Sequence, residues 1–416
     1  TVLECCYIYL YFAILNVELP FTEFATSEFT AQNYSLRTHL ISELKNIQDN
    51  FIPGTALSCY GDGDWDDTLQ PANPELRKSM VSGWTVQLTY QVVMKAAKIF
   101  AQANDSELAE HMADLAQRIH HDYNQYVIQD EVVAGFILFN ENGVAEPLLH
   151  PLDVRTGIQY RLLPMTRGII SELFSLEQAQ QHYKLIKEHL FYSDGVRLMS
   201  QPATYAGGVN TIFKRAELAA NVGREVGLQY VHAHIRFIEA MAKLGYAEDV
   251  WHGLQQINPI LIDEVVPNAE KRQSNSYFSS SDADFATRYD AQQNWSKLKD
   301  ASVAVRGGWR IYSSGPGIYI NQLIRNFLGI RLRETEIELD PVICRKLDGL
   351  EFAYDYAGYD LNFIYHVSQA EFAPQKIVIN GNELDEFCRL NNPYRQGGIV
   401  VAKDVFIQLL KSGMSN

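Results

Sequence analysis

The sequence predicts a mainly α protein: an α/α toroid of paired helices followed by a small C-terminal β domain. Three observations predict it. Apolar residues recur at helical spacing in paired segments as far as residue 330. Long loops separate alternate pairs, as in toroids whose loops build a funnel. After Gly329 the texture changes to short runs that alternate in twos and end in turn signals. The domains are therefore expected at 1–330 and 331–416. Periodicity by itself does not separate a toroid of helix pairs from a helical solenoid.

The elements follow in order. Residues 2–17 form an apolar run broken by Glu4. The run has no positive leader and no small-residue cleavage site, and it is short for a membrane span, so a buried helix is expected. The chain opens on Thr1 inside this run without a cap or an initiating Met, as a fragment of a longer protein would. An amphipathic helix is expected within 33–50, ending before Pro53. Residues 76–103 carry one stripe (Met80, Val81, Trp84, Leu88, Val92, Val93, Ala96 and Ile99) and read as a single helix. Ser106 is the expected N-cap of the next helix, 108–126, with Glu107 and Glu110 favourable in its first turn. Residues 165–174 and 176–190 read as a pair, Ser175 capping the second. A helix over 229–244 is stopped by Gly245. Beyond Gly329, strands are expected at 336–340, 350–354, 361–367 and 376–382, with Asn380-Gly381 as a hairpin turn and a last helix at 403–411.

Composition narrows the function. The 416 residues carry a formal net charge of -15, which argues against a nucleic-acid surface. Any anionic ligand must then find a local cluster of donors. Cys5, Cys6, Cys59, Cys344 and Cys388 are odd in number and lack metal spacing; they read as reduced thiols of a cytoplasmic protein.

The densest chemistry lies in Gly61-Asp62-Gly63-Asp64-Trp65-Asp66-Asp67-Thr68-Leu69-Gln70. Four carboxylates surround one tryptophan. An indole stacks on the apolar face of a sugar, carboxylates grip hydroxyls, and an acid crowded by like charges can hold its proton for a leaving oxygen. A calcium loop is the alternative, but Asn73 stands where an EF-hand needs its twelfth-position Glu. A solvated acidic turn is the plainest reading. Elsewhere, His120-His121 reads as a solvated helix face, and Gly207-Gly208 as a loop hinge without the lysine of a nucleotide cradle. His232-Ala-His234 has no third ligand at metal spacing, so no metal or organic cofactor is expected.

Five blocks in order resemble glycoside hydrolase family 94, the inverting β-glycoside phosphorylases that include cellobiose phosphorylase. Asp64-Trp65-Asp66-Asp67 is similar to the family's D-W-N-D. Glu225-Val-Gly-Leu-Gln-Tyr-Val-His232-Ala is similar to E-N-G-G-x-F-N-H-A. Asn275-Ser-Tyr277-Phe-Ser-Ser-Ser-Asp282 is similar to E-P-Y-V-x-x-x-D. Trp309-Arg-Ile-Tyr-Ser-Ser314-Gly315 is similar to W-L-T-G. Leu328-Gly-Ile-Arg331 with Leu339-Asp-Pro341 is similar to the junction into the family's C-terminal β domain. Members are longer, and the resemblance covers only the later part of their barrel and the C-terminal domain, so it implies an (α/α)6-type helical barrel, incomplete at its N-terminal side, before the β domain.

The resemblance implies an inverting phosphorylase that converts a β-linked gluco-oligosaccharide and phosphate into α-glucose 1-phosphate and a shortened sugar. Asp67 would be the proton donor. Asp64 and Asp66 would be sugar ligands or would tune its acidity, Asp66 raising its pKa if both are buried. Trp65 would line the donor subsite. Asn275 and Tyr277 would face the acceptor, and Asn275, where the family carries Glu, suggests another acceptor such as a β-1,2-glucan. His232, Ser314 and Gly315 would bind phosphate, the latter two at a helix start whose free N–H groups suit an anion. Arg272 and Arg306 are candidate extra donors, Arg215 and Arg224 weaker ones, and Glu225 would support the site near His232. The resemblance further implies a homodimer, with oligosaccharide and phosphate as its partners and no membrane. An inverting hydrolase, which needs a second carboxylate for water, and an inactive sugar-binding fragment stay open.

Overall fold

The computed structural model describes residues 14–412 other than 24, 62, 206, 209, 219–226, 311–313, 334 and 357. Of the apolar run at 2–17, residues 2–13 therefore lie outside the described residues. The chain divides into two compact units. One comprises Thr1–Leu173 with Ala203–Ala219; the other comprises Phe174–Pro202 with Ala220–Asn416.

In the first unit, a hairpin of Glu18–Thr22 and Phe29–Ser35 leads into the helix Leu36–Asp49, capped by the Ser35 hydroxyl at the Thr38 N–H. The long stripe at 76–103 is not one helix. Pro74–Ser79 and Gly83–Gln102 are helical, and Met80–Ser82 between them is a strand. Met80 and Val81 are wholly buried and pair with Leu138 and Ile137. A buried apolar pair continues a helical pattern as readily as it enters a sheet, which is why periodicity joined the two helices. Val92 and Ile99, counted in the same stripe, are exposed; Val86, Val93 and Phe100 form the inner face. The sheet continues through Phe136–Phe139 to Ala145–Leu148, all antiparallel.

Helix Gly83–Gln102 packs against Ser106–Asp122 and against Leu162–Ile170. The cap of Ser106–Asp122 is Asp105, whose carboxylate accepts from the Leu108 N–H; Ser106 is already inside the helix. His120 and His121 lie on its exposed face, as expected.

In the second unit, Leu176–Leu185 starts with a reciprocal capping box between Ser175 and Gln178, so the expected cap at Ser175 is present. This helix and Ser106–Asp122 run into five-residue π-turns, Ile186–Leu190 and Tyr123–Val127, each followed at once by a tight hairpin. Helix Val231–Leu244 ends on Gly245 at φ +84°, the left-handed stop the sequence signals. Its expected first residues, Gln229 and Tyr230, instead form a strand in a sheet with Phe278–Ala283 and Val305–Arg310. From Ile330 the chain turns to sheet. Ile330–Leu332, Glu336–Leu339, Ile399–Ala402 and Cys388–Arg389 make four antiparallel strands in that order. Leu350–Tyr356 and Tyr359–Tyr365 form a hairpin, and Lys403–Ser412 is the last helix. Asn380 and Gly381 both have positive φ, so the turn between Val378–Ile379 and Asn382–Glu383 is the tight one expected.

Two fully buried histidines of this unit carry a pH prediction. Burial lowers both His182 and His234 from 6.5 to about 4. His234 Nδ1 accepts from the Val196 N–H, and Nε2 donates to the Gly253 carbonyl, which fixes a neutral tautomer. Because the folded pKa is depressed, the unfolded chain binds protons below 6.5 that the folded chain refuses. Stability is therefore expected to fall as pH drops from 6.5 towards about 4, by roughly 1.4 kcal/mol per pH unit for each histidine. Urea midpoints at pH 7 and pH 5 read this slope, and His234→Gln should roughly halve it.

Candidate active site

The acid turn is held from both sides. Upstream, the Asp64 carboxylate, with no solvent exposure, pairs with the equally buried Arg161 through Nη2 to Oδ1 at 2.8 Å and Nη1 to Oδ2 at 3.4 Å. The same carboxylate accepts from the Ser82 hydroxyl and, at 2.9 Å, from the Asp66 N–H. Arg161 stacks over the Phe136 ring at 4.5 Å and stands at the entrance of helix Leu162–Ile170. Downstream, residues 68–72 are laced to 212–216: Ala216 N–H donates to Thr68 O, Lys214 N–H to Gln70 O, and Ala72 N–H to Ile212 O. The Glu217 carboxylate fastens the 212–216 segment by accepting from the Thr211, Ile212 and Phe213 N–H groups.

Between these anchors Asp66 and Asp67 part company. Asp66 is wholly buried and caps the short turn Asp67–Leu69, its carboxylate accepting from the Thr68 N–H at 3.2 Å. Asp67 opens the turn and faces solvent. Its carboxylate makes no hydrogen bond or ion pair among the described residues, so the capping role belongs to its neighbour. Two expectations are corrected here. Asp64 is not placed as a sugar ligand, because its oxygens are consumed by Arg161, Ser82 and the backbone. The condition that Asp66 and Asp67 both be buried is not met, because the turn points them in different directions. Trp65, which precedes them, is half-buried.

Tyr60 lies under the turn. Burial first, then the charge of Asp64, push its phenol up to about 12; Arg161 pulls it down, and Asp66 and Asp67 add smaller upward pushes. A spectrophotometric titration that compares the protein with Tyr60→Phe should therefore assign one phenol to about pH 12 rather than 10. Arg161 is the residue that sequence reading missed. It stands 97 positions from Asp64, and only an unusual Arg beside an apolar helix start could have signalled it.

The second unit brings other candidates together. His232, half-buried, is the second residue of helix Val231–Leu244, and its ring stacks with Tyr230 at 6.4 Å. Burial and the neighbouring Tyr230 raise the Tyr277 phenol well above 10. Tyr277 lies directly on Gly315, where an added Cβ would overlap its Oη and Cζ atoms. Gly315 and Ser314 open helix Ser314–Gln322, which packs on Val231–Leu244. His232, Tyr277 and Gly315 thus belong to one neighbourhood. Asn275 sits exposed on the turn before strand Phe278–Ala283, whose Ser279, Ser280 and Ser281 are buried. Arg272 turns inward: its Nη2 donates to Ser281 Oγ at 2.9 Å, and burial lowers its pKa against the pull of Asp194 and Asp282. Arg306 is not a spare donor. It is exposed and forks between Glu270 at 2.9 Å and Asp284 at 2.7 Å, an ordinary surface ion-pair group. Arg215 is exposed. Glu225 and Arg224 lie outside the described residues.

Asp67 thus faces solvent near a half-buried tryptophan, on a braced turn of a mainly helical scaffold. The chain belongs to the glycosyl hydrolase 94 superfamily: that family's catalytic domain matches residues 18–295, and a glycoside phosphorylase C-terminal domain matches 329–415. Over 391 residues, 94% of this chain, it is 49% identical to a 1,2-beta-oligoglucan phosphorylase of Listeria innocua, and it spans 35% of that protein's length. It is 27% identical over 120 residues, 29% of this chain and 4% of the relative, to the cyclic beta-(1,2)-glucan synthase NdvB of Rhizobium meliloti. A solved sialidase shares the fold, with a TM-score of 0.52 at 12% identity over 88% of this chain and 30% of the other. Among the described residues no helix is long and apolar enough to cross a membrane.

Proposed function

We propose that the protein is an inverting glycoside phosphorylase acting on β-1,2-linked gluco-oligosaccharides. The identity of 49% with a 1,2-beta-oligoglucan phosphorylase, sustained over 94% of the chain, is the observation that carries this reading. The chain spans about a third of that relative's length. In the proposed reaction Asp67 gives its proton to the glycosidic oxygen. A phosphate oxygen attacks the anomeric carbon from the opposite face as the carbon–oxygen bond breaks. The products are α-glucose 1-phosphate and an oligosaccharide one glucose shorter.

Each residue then has a role. Trp65 stacks on the donor sugar. Asp66 shapes the turn that presents Asp67. His232, Ser314 and Gly315 receive phosphate at helix starts, where N–H groups and the helix dipole favour an anion. Arg272 adds positive charge. Tyr277 and Asn275 face the acceptor, and Glu225 supports the phosphate end. We place the helices of residues 1–330 in part of an (α/α)6 barrel, with 331–416 as its β domain. A homodimer in the cytoplasm completes the reading; Cys59, Cys344 and Cys388 are free thiols, as a reducing compartment requires.

Incubation with β-1,2-, β-1,3- and β-1,4-linked gluco-oligosaccharides in phosphate tests the linkage. Consumption of the β-1,2 series is expected to exceed the others by at least about tenfold, a difference of about 1.4 kcal/mol in transition-state binding. Equal or greater turnover of another linkage would sink the assignment.

A further inference from the structure

We infer that Arg161 is a positioning residue of the reaction, acting through Asp64 and Ser82 to fix the turn that presents Asp67. The inference rests on the proposed role of Asp67 as the acid. Arg161 does not reach solvent, and neither does the carboxylate it holds. Its two nitrogens take both oxygens of Asp64, a fork geometry that fixes orientation as well as distance. Asp64 passes that constraint on. One of its oxygens accepts from the Asp66 N–H, and the next peptide carries Asp67.

The arginine is itself immobilised. Phe136 lies against its guanidinium, Nη1 also donates to the Gly135 carbonyl, and Gly135 leaves no room for a side chain. An added Cβ there would meet Leu149 Cβ at 2.6 Å and Arg161 Cδ at 3.2 Å. Ser82 closes the circuit, because the same hydroxyl that donates to Asp64 caps helix Gly83–Gln102 at the Thr85 N–H. The acid turn is therefore keyed to two helix starts at once, Gly83–Gln102 and Leu162–Ile170. A site held to within a fraction of an ångström needs such support, since a misplacement of about 1 Å costs on the order of 100-fold in rate.

Kinetics and stability of four variants of the full-length protein test this. Arg161→Met strands a buried carboxylate and is expected to yield little folded protein. Arg161→Met combined with Asp64→Leu removes both charges, an exchange that is often neutral or stabilising, so its thermal midpoint should return close to that of the parent. Positioning predicts that this folded double variant still turns over about 100-fold more slowly in kcat, with KM for glucan and for phosphate within about twofold of the parent. Arg161→Lys keeps the charge but loses the fork. It should fold and show a kcat between the two, which keeps the test decisive if the double variant does not fold. A pair that merely stabilises the fold predicts that activity returns with the thermal midpoint. Parental kcat in the folded double variant, or in folded Arg161→Lys, overturns the inference, as does a loss confined to KM. Asp67→Asn separates the two levels: activity retained there removes the premise, whereas an inactive Asp67→Asn beside a fully active double variant removes only the positioning role.

Discussion

Asp67→Asn is expected to lower phosphorolysis by about 10²–10⁴-fold, the range over which a positioned general acid contributes. An amide cannot give the proton that the departing sugar oxygen needs. The loss should be confined to chemistry. Asp67 faces solvent and carries no hydrogen bond or ion pair among the described residues, so stability should stay within about 0.5 kcal/mol of the parent. Substrate choice sharpens the prediction. An aryl β-glucoside with an acidic phenol leaves without protonation, and the variant should be impaired far less on it than on an oligoglucan. Asp66→Ala gives the contrast. That carboxylate is buried and caps the turn, so its removal should cost stability, about 1 kcal/mol for a lost cap, before it costs rate. Comparable defects in both variants, or unchanged activity in Asp67→Asn, would show that the acid has been misassigned.

Gly315→Ala is expected to have the second largest effect, and through a different route. The added methyl would occupy the space of the Tyr277 ring, so either the ring or the helix start Ser314–Gln322 must move. Overpacking of this kind costs about 1–3 kcal/mol. Displacing the first helical N–H groups should also raise KM for phosphate and lower kcat together, by about 100-fold in kcat/KM. A double-mutant cycle isolates the cause. With Tyr277→Ala the methyl meets empty space, so the combined variant should be more stable than Gly315→Ala alone, with a coupling of about 0.5–3 kcal/mol. Strict additivity would mean that the two residues do not compete for the same volume.

Much of the fold is legible in the sequence, and the legible parts share a cause. Ser175 with Gln178, Gly245 and Asn380-Gly381 act within a turn of their own position. Short-range chemistry of that kind is written in the residues that perform it. What the sequence hides is set at long range. Nothing in Met80-Val81 says that a strand at 136–139 waits for it, and a buried apolar pair suits helix or sheet. Strand Phe278–Ala283 is similarly obscured, because three consecutive serines are buried there against Gly307 and Gly308, where side chains of any size would collide with Phe278 and Ser280.

The site divides along the same line. The motif at 64–67 marks where the chemistry is, but three acids around one tryptophan do not reveal which is free. Asp64 looks as suitable for a sugar as Asp67 until Arg161 is placed on it. Asp66 and Asp67 differ only in the direction a three-residue turn gives them. Arg306 reads as a cation open to phosphate until Glu270 and Asp284 are seen on either side. Conversely, Tyr277 and Gly315, drawn from separate blocks, meet ring to backbone.

The central claim is that phosphate, rather than water, attacks the anomeric carbon with inversion. Proton NMR of the products from a β-1,2-gluco-oligosaccharide, with and without inorganic phosphate, tests it most directly on the full-length protein. The account predicts the anomeric signal of α-glucose 1-phosphate, coupled to phosphorus, appearing only when phosphate is present. Free glucose released at the same rate without phosphate would contradict it and make the protein a hydrolase.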